Sequence, residues 1–292
     1  MDLWDTLLIF IKRQVLILSK KIIDKEMIES VVSALKTVKD KTPLVYHLTN
    51  MVTINDCANI TLAIGGSPLM SFCIEEIEEI TKFSSSVVLN IGTMDKSMKE
   101  MAIEVGKIAN RLGKPVVLDP VGVGATKARK NLIESLLKEV KFSVIKGNMA
   151  EIKAILDMES LSRGVDSLEG NDSGEELVRL ASKKFDTVIA ITGEVDYIGD
   201  EKTVFKLNNG HKIMGLVTGT GCMISSLIGS FLGGGNSPVV SAVAGVLAMG
   251  IAGELAEKNF IGTGTLKVNI MDNISNLDED IIRKNEKLSS AI

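Results

Sequence analysis

Two rhythms of apolar and polar positions run along the chain. Short aliphatic runs bounded by glycine or proline occur at residues 85–92 (SSVVLNIG), 114–120 (KPVVLDP), 142–146 (FSVIK) and 186–192 (DTVIAIT). They read as strands buried on both faces, which need no polar alternation. Residues 95–112, 127–140 and 173–185 carry apolar side chains three and four apart, the spacing of one helix face. Gly113 stands where a helix ends in left-handed backbone. Pro120 stands where a strand must stop, since its nitrogen has no hydrogen to donate. Another helix is expected to begin near Asn148. Residues 203–207, Asn209-Gly210 and residues 212–216 have the form of a β-hairpin, because Asn-Gly supplies the backbone such turns require. Glycine-rich residues 218–221 then open a long apolar helix, with residues 237–258 as its packed neighbour.

Alternating strand and helix over more than a hundred residues predicts right-handed crossovers and a mostly parallel sheet between helical layers. In such sheets ligands bind beyond the carboxyl ends of the strands. The amino-terminal part fits less simply. Residues 27–39 look helical and run into Thr42-Pro43, whereas residues 7–18 are strongly apolar but interrupted by Lys12, Arg13 and Gln14. A spanning helix needs about 20 mostly apolar residues, so no transmembrane segment is expected here. A small-residue cleavage signature is also missing. An amphipathic helix that covers the body or lies at a membrane surface suits this stretch.

Composition sharpens the picture in three places. With 45% hydrophobic and only 4% aromatic residues, the core must be built from aliphatic side chains. A net charge of −4 lacks the basic footprint of a nucleic-acid binder, so a phosphate would have to be held locally by backbone amides, a cation or a metal. Three cysteines without C-x-x-C spacing and two histidines argue against a disulfide framework or zinc site and for a reducing, cytoplasmic setting.

Four predicted strand ends carry chemistry: Asn90-Ile91-Gly92-Thr93, then Asp119-Pro120 with the glycine-rich residues 121–124, then Lys146-Gly147-Asn148 with Glu151 one turn on, and Thr192-Gly193-Glu194. Taken singly, each has a plain structural reading. Asp119 can start a turn, and Asn148 with Glu151 can cap a helix. Together they gather two hard oxygen ligands, a cation and open amides, the needs of a Mg²⁺–polyphosphate complex. The segment Val217-Thr218-Gly219-Thr220-Gly221-Cys222 adds a glycine loop whose following helix directs free N–H groups at the same place. Gly219, Thr220 and Gly221 could form an anion hole for a moving phosphoryl group. Equally, they could be a turn in front of a buried thiol. There is neither a G-x-x-x-x-G-K-[ST] match nor a complete G-x-G-x-x-G after a strand, which disfavours Walker-type NTPases and simple dinucleotide enzymes. Earlier in the chain, Asn50 and Asn55 could bond a heteroatom, and Val52 and Met70 could wall an apolar ring.

The segments HLTNMVTINDCAN, GGSPLM followed by Glu75-Glu76, LNIGT, LDPVGVGA, KGNMAEI, AITGEVDYI, NGHKIM and VTGTGC occur in the order and spacing of hydroxyethylthiazole kinases, and the chain resembles that family from about Met27 nearly to its end. The resemblance implies a ribokinase-like three-layer α/β/α sandwich that forms homotrimers with active sites at subunit interfaces. It also implies phosphorylation of 4-methyl-5-(2-hydroxyethyl)thiazole in thiamine salvage, with ATP and Mg²⁺. By position, Met70 and Gly219 would contact substrate, with Asn50 and Val52 lining the thiazole pocket. Lys146 and Thr192 would contact ATP, and Asp119 and Glu151 would serve the metal and phosphates. Cys222 would stand where the wider superfamily usually has an aspartate base. Lys146 departs from the arginine frequent among relatives, keeping the charge but losing the planar fork. Residues 1–26 fall outside the resemblance as an N-terminal helical extension, leaving residues 27–292 as a single kinase domain. A related heterocycle kinase acting on a hydroxymethylpyrimidine or pyridoxal, or a non-catalytic sensor of thiazole or nucleotide, are the alternative readings.

Overall fold

The computed structural model describes residues 3–163 and 173–291. Helix α1 (Leu3–Lys41) leads into a succession of β1 (Leu44–Leu48), α2 (Ile54–Ile64), β2 (Ser67–Met70), α3 (Ile77–Phe83), β3 (Ser86–Asn90), α4 (Lys96–Arg111), β4 (Val116–Asp119), α5 (Lys127–Glu139), β5 (Val144–Asn148) and α6 (Met149–Arg163). Then follow α7 (Gly174–Phe185), β6 (Val188–Thr192), β7 (Asp196–Gly199), β8 (Val204–Leu207), a 3₁₀ turn (Lys212–Leu216), α8 (Thr220–Gly233), α9 (Pro238–Glu257), α10 (Thr263–Ser275), α11 (Glu279–Asn285) and β9 (Leu288–Ala291). The sheet order is β2-β1-β3-β4-β5-β6-β7-β8-β9. The first six strands run parallel and the last three antiparallel.

The strands are apolar on both sides because helices cover both sides. Val45, Val88, Val117 and Val144 join a core with α8 and α9. Their neighbours Tyr46, Val87, Leu118 and Ile145 join a second core with α4 to α7. Period-two alternation thus sends successive residues into opposite layers, and the expected mostly parallel three-layer sandwich is present. Helix α9 is long and apolar enough to span a membrane, yet 78% of that stretch is buried inside the protein. Local signals hold as well: Asp95 caps α4 by accepting the Met98 N–H at 2.8 Å, and Gly113 has φ +66°.

The expected hairpin over residues 203–216 is not formed. Residues 212–216 make a 3₁₀ turn instead, and β8 pairs on one side with β7 and on the other with β9. The Asn209 side chain donates to the Asn285 carbonyl and accepts the Lys287 N–H, both at 2.8 Å. The polar turn residue therefore joins β8 to the carboxyl-terminal segment rather than folding the chain back on itself. At the other end, α1 crosses residues 26 and 27 without interruption.

Candidate active site

The chain steps from β1 to β2 on one side and then to β3 on the other, so the loops after β1 and β3 part and leave a crevice. A cavity of ≈ 360 Å³ opens there, and it brings together Asn50, Val52, Asp119, Lys146, Glu151, Thr192, Gly219, Gly221 and Cys222. These residues come from the loop after β1, from β4, β5 and β6 near their carboxyl ends, from the first turn of α6, and from the start of α8 with the glycine before it. They meet because the carboxyl ends of parallel strands share one edge.

Asp119 is the hub. It ends β4 in register with Asn90 at the end of β3 and is fully buried. Its Oδ2 accepts hydrogen bonds from Asn90 Nδ2 and Ser225 Oγ, each 2.8 Å. Its Oδ1 accepts none and lies 3.6 Å from Lys146 Nζ, itself 5% exposed. Burial pushes the Asp119 carboxyl above the usual carboxylate range, against the pull of Lys146, Ser225 and Asn90. A carboxylate oxygen in so dry a place, facing a single cation at ion-pair distance, has unused capacity to accept.

Glu151 caps a helix and also lines the cavity. Its Oε2 accepts the Asn148 N–H at 2.8 Å while Asn148 Oδ1 accepts the Glu151 N–H at 2.9 Å, a reciprocal cap at the start of α6. Its Oε1 takes the Gly122 N–H at 2.8 Å, which ties the loop after β4 to the first turn of α6. The carboxylate still lines the cavity. No cluster of three acidic, histidine or cysteine side chains exists among the described residues, so the protein alone would not enclose an ion. Two carboxylates on one wall, one with an unpaired oxygen, do fit Mg²⁺, which keeps waters and shares its remaining positions with phosphates.

Gly219 has φ +91°, and a Cβ there would meet Thr53 Cγ2 at 2.6 Å, so both conformation and space demand glycine. It precedes α8, whose first turn has no side-chain cap. The amides of that turn lack intrahelical acceptors and point toward the cavity end of the helix. A Cβ on Gly221 would come within 3.1 Å of Lys146 Nζ, so the cation sits directly against the glycine loop. Cys222, in the same turn, has its Sγ 3.3 Å from Asn90 Nδ2 and 3.4 Å from Asn50 Nδ2. Burial, and then the Asp119 charge, push the thiol above its ordinary range.

Two predicted residues lie elsewhere. Met70 ends the edge strand β2, half-buried and outside the lining of this cavity. Thr220 lines a second cavity of ≈ 800 Å³, which shares Thr192 and Gly221 with the first and extends past Asp196, Asn209 and Met214. Burial pushes the Asp196 carboxyl up to about 7; its Oδ1 accepts the Gly193 N–H at 2.9 Å. Asn55, one of the polar candidates, is exposed and bonded to Asn59.

Sequence reasoning named Asn90 at a strand end without giving it a role, and missed Ser225, Thr53 and Arg129. Asn90 links Asp119, Asn50, Cys222 and the Gly92 N–H; its signal was its place opposite Asp119 at a strand end. Ser225 lies three residues after Cys222, on the same helix face. Thr53 fills the space that Gly219 leaves. Arg129, on α5, donates to the carbonyls of Ile91 (2.9 Å), Val121 (2.6 Å) and Gly92 (2.5 Å). It clamps the loops after β3 and β4, a task visible only once α5 is seen lying beside both.

A sequence model of the Hydroxyethylthiazole kinase family matches residues 35–280. Hydroxyethylthiazole kinase of Alkaliphilus oremlandii is 47% identical over 267 residues, covering 90% of this chain and 98% of the relative. The structure of the hydroxyethylthiazole kinase protein from Pyrococcus horikoshii superposes with a TM-score of 0.83 at 37% identity, over 90% of this chain and 99% of that one. Pyridoxal kinase from Staphylococcus aureus in complex with AMP-PCP, at 12% identity and a TM-score of 0.59 over 85% of this chain and 99% of that one, shares the fold alone. The agreement of the sequence match with the superposed architecture settles the lineage: the fold is ribokinase-like, and the chain belongs to the hydroxyethylthiazole kinase family.

Proposed function

We propose that this chain transfers the γ-phosphoryl group of ATP to the hydroxyl of 4-methyl-5-(2-hydroxyethyl)thiazole, giving the thiazole phosphate and ADP for thiamine salvage. The observation that carries the reading is the buried Asp119–Lys146 pair set against the glycine-led start of α8. The larger cavity takes the nucleotide, and Thr192 and Gly221, common to both cavities, mark where its terminal phosphate meets the acceptor. Lys146 neutralises phosphate charge. The amides of Gly219, Thr220 and Gly221 hold the phosphoryl group as charge spreads over its oxygens. The thiazole packs against Val52, with Asn50 and the Gly219 backbone beside it.

Bound with the nucleotide at Asp119 and Glu151, Mg²⁺ would supply charge neutralisation of the phosphates. In the transfer, the acceptor oxygen forms a bond to γ-phosphorus as the bond to the bridging oxygen of ADP breaks, and the hydroxyl proton passes beside Cys222 to a phosphate oxygen and then to solvent. No covalent enzyme intermediate is required. Met70 lies at an edge strand away from the cavity, and Met51 and Val52 at the mouth are 63% and 64% exposed. Both features support a homotrimer in which a neighbouring copy's Met70 completes the thiazole pocket. Residues 27–292 act as one kinase domain in the cytoplasm.

ADP release with ATP and Mg²⁺ should depend on the hydroxyethylthiazole and exceed release with a hydroxymethylpyrimidine or pyridoxal. A preference for either of those would leave the phosphate site standing and remove the thiazole assignment. The raised thiol pKa makes Cys222 neutral near pH 7, so it assists rather than drives the reaction. Cys222→Ala should lower kcat by about 10–100-fold, the usual scale of a proton-transfer aid. Wild-type kcat should show no rise through the ordinary thiol range that the variant lacks. A variant with ATP binding intact and no turnover would make the thiol an essential base.

A further inference from the structure

Arg129 directs its guanidinium at backbone alone. Half-buried on α5, it donates to the carbonyls of Ile91, Val121 and Gly92. It takes part in no ion pair among the described residues and lines neither cavity at the strand ends. What these carbonyls have in common lies at the other end of their peptide groups. The Val121 carbonyl and the Gly122 N–H belong to one peptide unit: its oxygen accepts from Arg129 Nη1 at 2.6 Å, and its N–H donates to Glu151 Oε1 at 2.8 Å. The Ile91–Gly92 unit repeats the arrangement, its oxygen 2.9 Å from Arg129 Nη1 and its N–H donating to Asn90 Oδ1 at 2.9 Å. Asn90 in turn donates to Asp119 Oδ2 at 2.8 Å.

A peptide unit is planar, and in the trans form its C=O and N–H bonds point in opposite directions. Fixing the oxygen therefore fixes where the hydrogen points. A cation at the oxygen also polarises the unit, which makes the N–H a stronger donor to the carboxylate beyond it. Gly122, at the joint, has φ +65°, a conformation that favours glycine. The plainer role is a tie between two loops, and the two roles differ in what they reach. Lys146 and Thr192 lie at the ends of β5 and β6, and Gly221 lies in the first turn of α8. None of them bonds to Arg129 or to the peptide units it holds. Loss of the guanidinium should thus disturb the carboxylates of the site and spare the groups that face the phosphates directly.

We propose that Arg129 is a positioning residue that acts through these peptide units to set the Glu151 carboxylate and the Asn90 amide, and through Asn90 the Asp119 carboxylate, for the metal-bearing nucleotide. The proposal rests on the reading of Asp119 and Glu151 as the Mg²⁺ side of the site. Calorimetry of full-length protein with ADP, with and without Mg²⁺, reads it without turnover. Arg129→Met should bind ADP with Mg²⁺ about tenfold more weakly than wild type, the scale for groups that orient metal ligands. ADP alone should bind within about twofold of wild type, because the phosphate contacts are spared. Arg129→Lys keeps the charge but cannot reach all of these carbonyls; it should fall between, and it carries the test if the methionine variant does not fold. Glu151→Gln should lose the same response to Mg²⁺. Adding Arg129→Met to it should weaken binding by less than about threefold, since members of one chain of contacts do not add. Arg129 variants that keep the wild-type response to Mg²⁺, that lose ADP with and without the metal alike, or that add fully to Glu151→Gln would overturn the proposal and leave Arg129 a loop tie. Wild type indifferent to Mg²⁺, or Glu151→Gln as responsive as wild type, would instead overturn the metal reading and the proposal with it.

Discussion

Asp119→Asn should lower kcat by about 10²–10³-fold, the scale of losing one preorganised electrostatic contact in a dry site, and also lower the melting temperature. The two halves of that expectation have different causes. The asparagine keeps shape, and its carbonyl can still accept from Asn90 and Ser225 as Oδ2 does now. What disappears is the charge that faces Lys146 and would meet the metal-bearing nucleotide. Stability should fall because Lys146, 5% exposed, is left as a buried cation without its partner, and the fall is offset in part because the Asp119 pKa is raised, first by burial. A carboxyl raised in the folded state contributes stability below its unfolded pKa and loses it as pH rises through the folded value. At neutral pH the buried carboxylate is thus a cost that its partners offset, and its removal relieves that cost while it strands Lys146. Parallel measurement of kcat, KM for ATP and melting temperature checks both halves. Turnover within about fivefold of wild type at saturating Mg²⁺ and ATP would remove Asp119 from the reacting centre, since electrostatic contacts there are worth far more.

The fold was largely legible because its strongest signals are periodic. Buried strands at residues 85–92, 114–120 and 186–192 are aliphatic runs with hard stops, and the helices between them carry their own caps. The hairpin over residues 203–216 failed for a non-local reason. The edge of β8 is taken by β9, four residues near the end of the chain, and nothing within residues 203–216 records that competitor. Gly210 does adopt φ +118°, as an Asn-Gly turn suggests, but the direction after the turn depends on Asn209 being tied to Asn285 and Lys287.

The site was legible in its charged and glycine-rich members and opaque in its neutral ones. Asp119, Lys146 and Glu151 announce themselves at strand ends, and Gly219 is demanded by both φ and Thr53. Asn90 and Ser225 look like any polar residues until register sets one beside Asp119 and helix geometry aims the other at it. Met70 is the reverse case. Position in a resembling family pointed to substrate, yet within a single chain it stands apart from the cavity. In the proposed homotrimer a neighbouring copy would supply it, and such a residue cannot join a site within one chain.

Lys146→Met should raise KM for ATP about 10–100-fold and lower kcat as well, whereas Lys146→Arg should stay within about tenfold of wild type, because the phosphate needs the charge first and the fork second. The lysine is pinned between Asp119 Oδ1 at 3.6 Å and the space above Gly221, so an arginine there must fan its donors toward the phosphates. The methionine variant should be unstable too. Removing one partner of a buried pair leaves the other uncompensated, at a cost of about 3–5 kcal/mol. With Lys146 gone the Asp119 pKa rises further, so the melting temperature of the variant should fall relative to wild type as pH rises above the ordinary carboxylate range. Combining Asp119→Asn with Lys146→Met removes both charges, and should restore the melting temperature without restoring turnover. Melting curves across pH for the two single variants and the double variant, beside kcat for each, separate the two roles. A double variant as unstable as Lys146→Met would mean that Lys146 supports the fold through its packing. Recovery of stability alone would mean that the pair is kept for phosphoryl transfer, since a neutral, similarly shaped replacement serves the fold equally well.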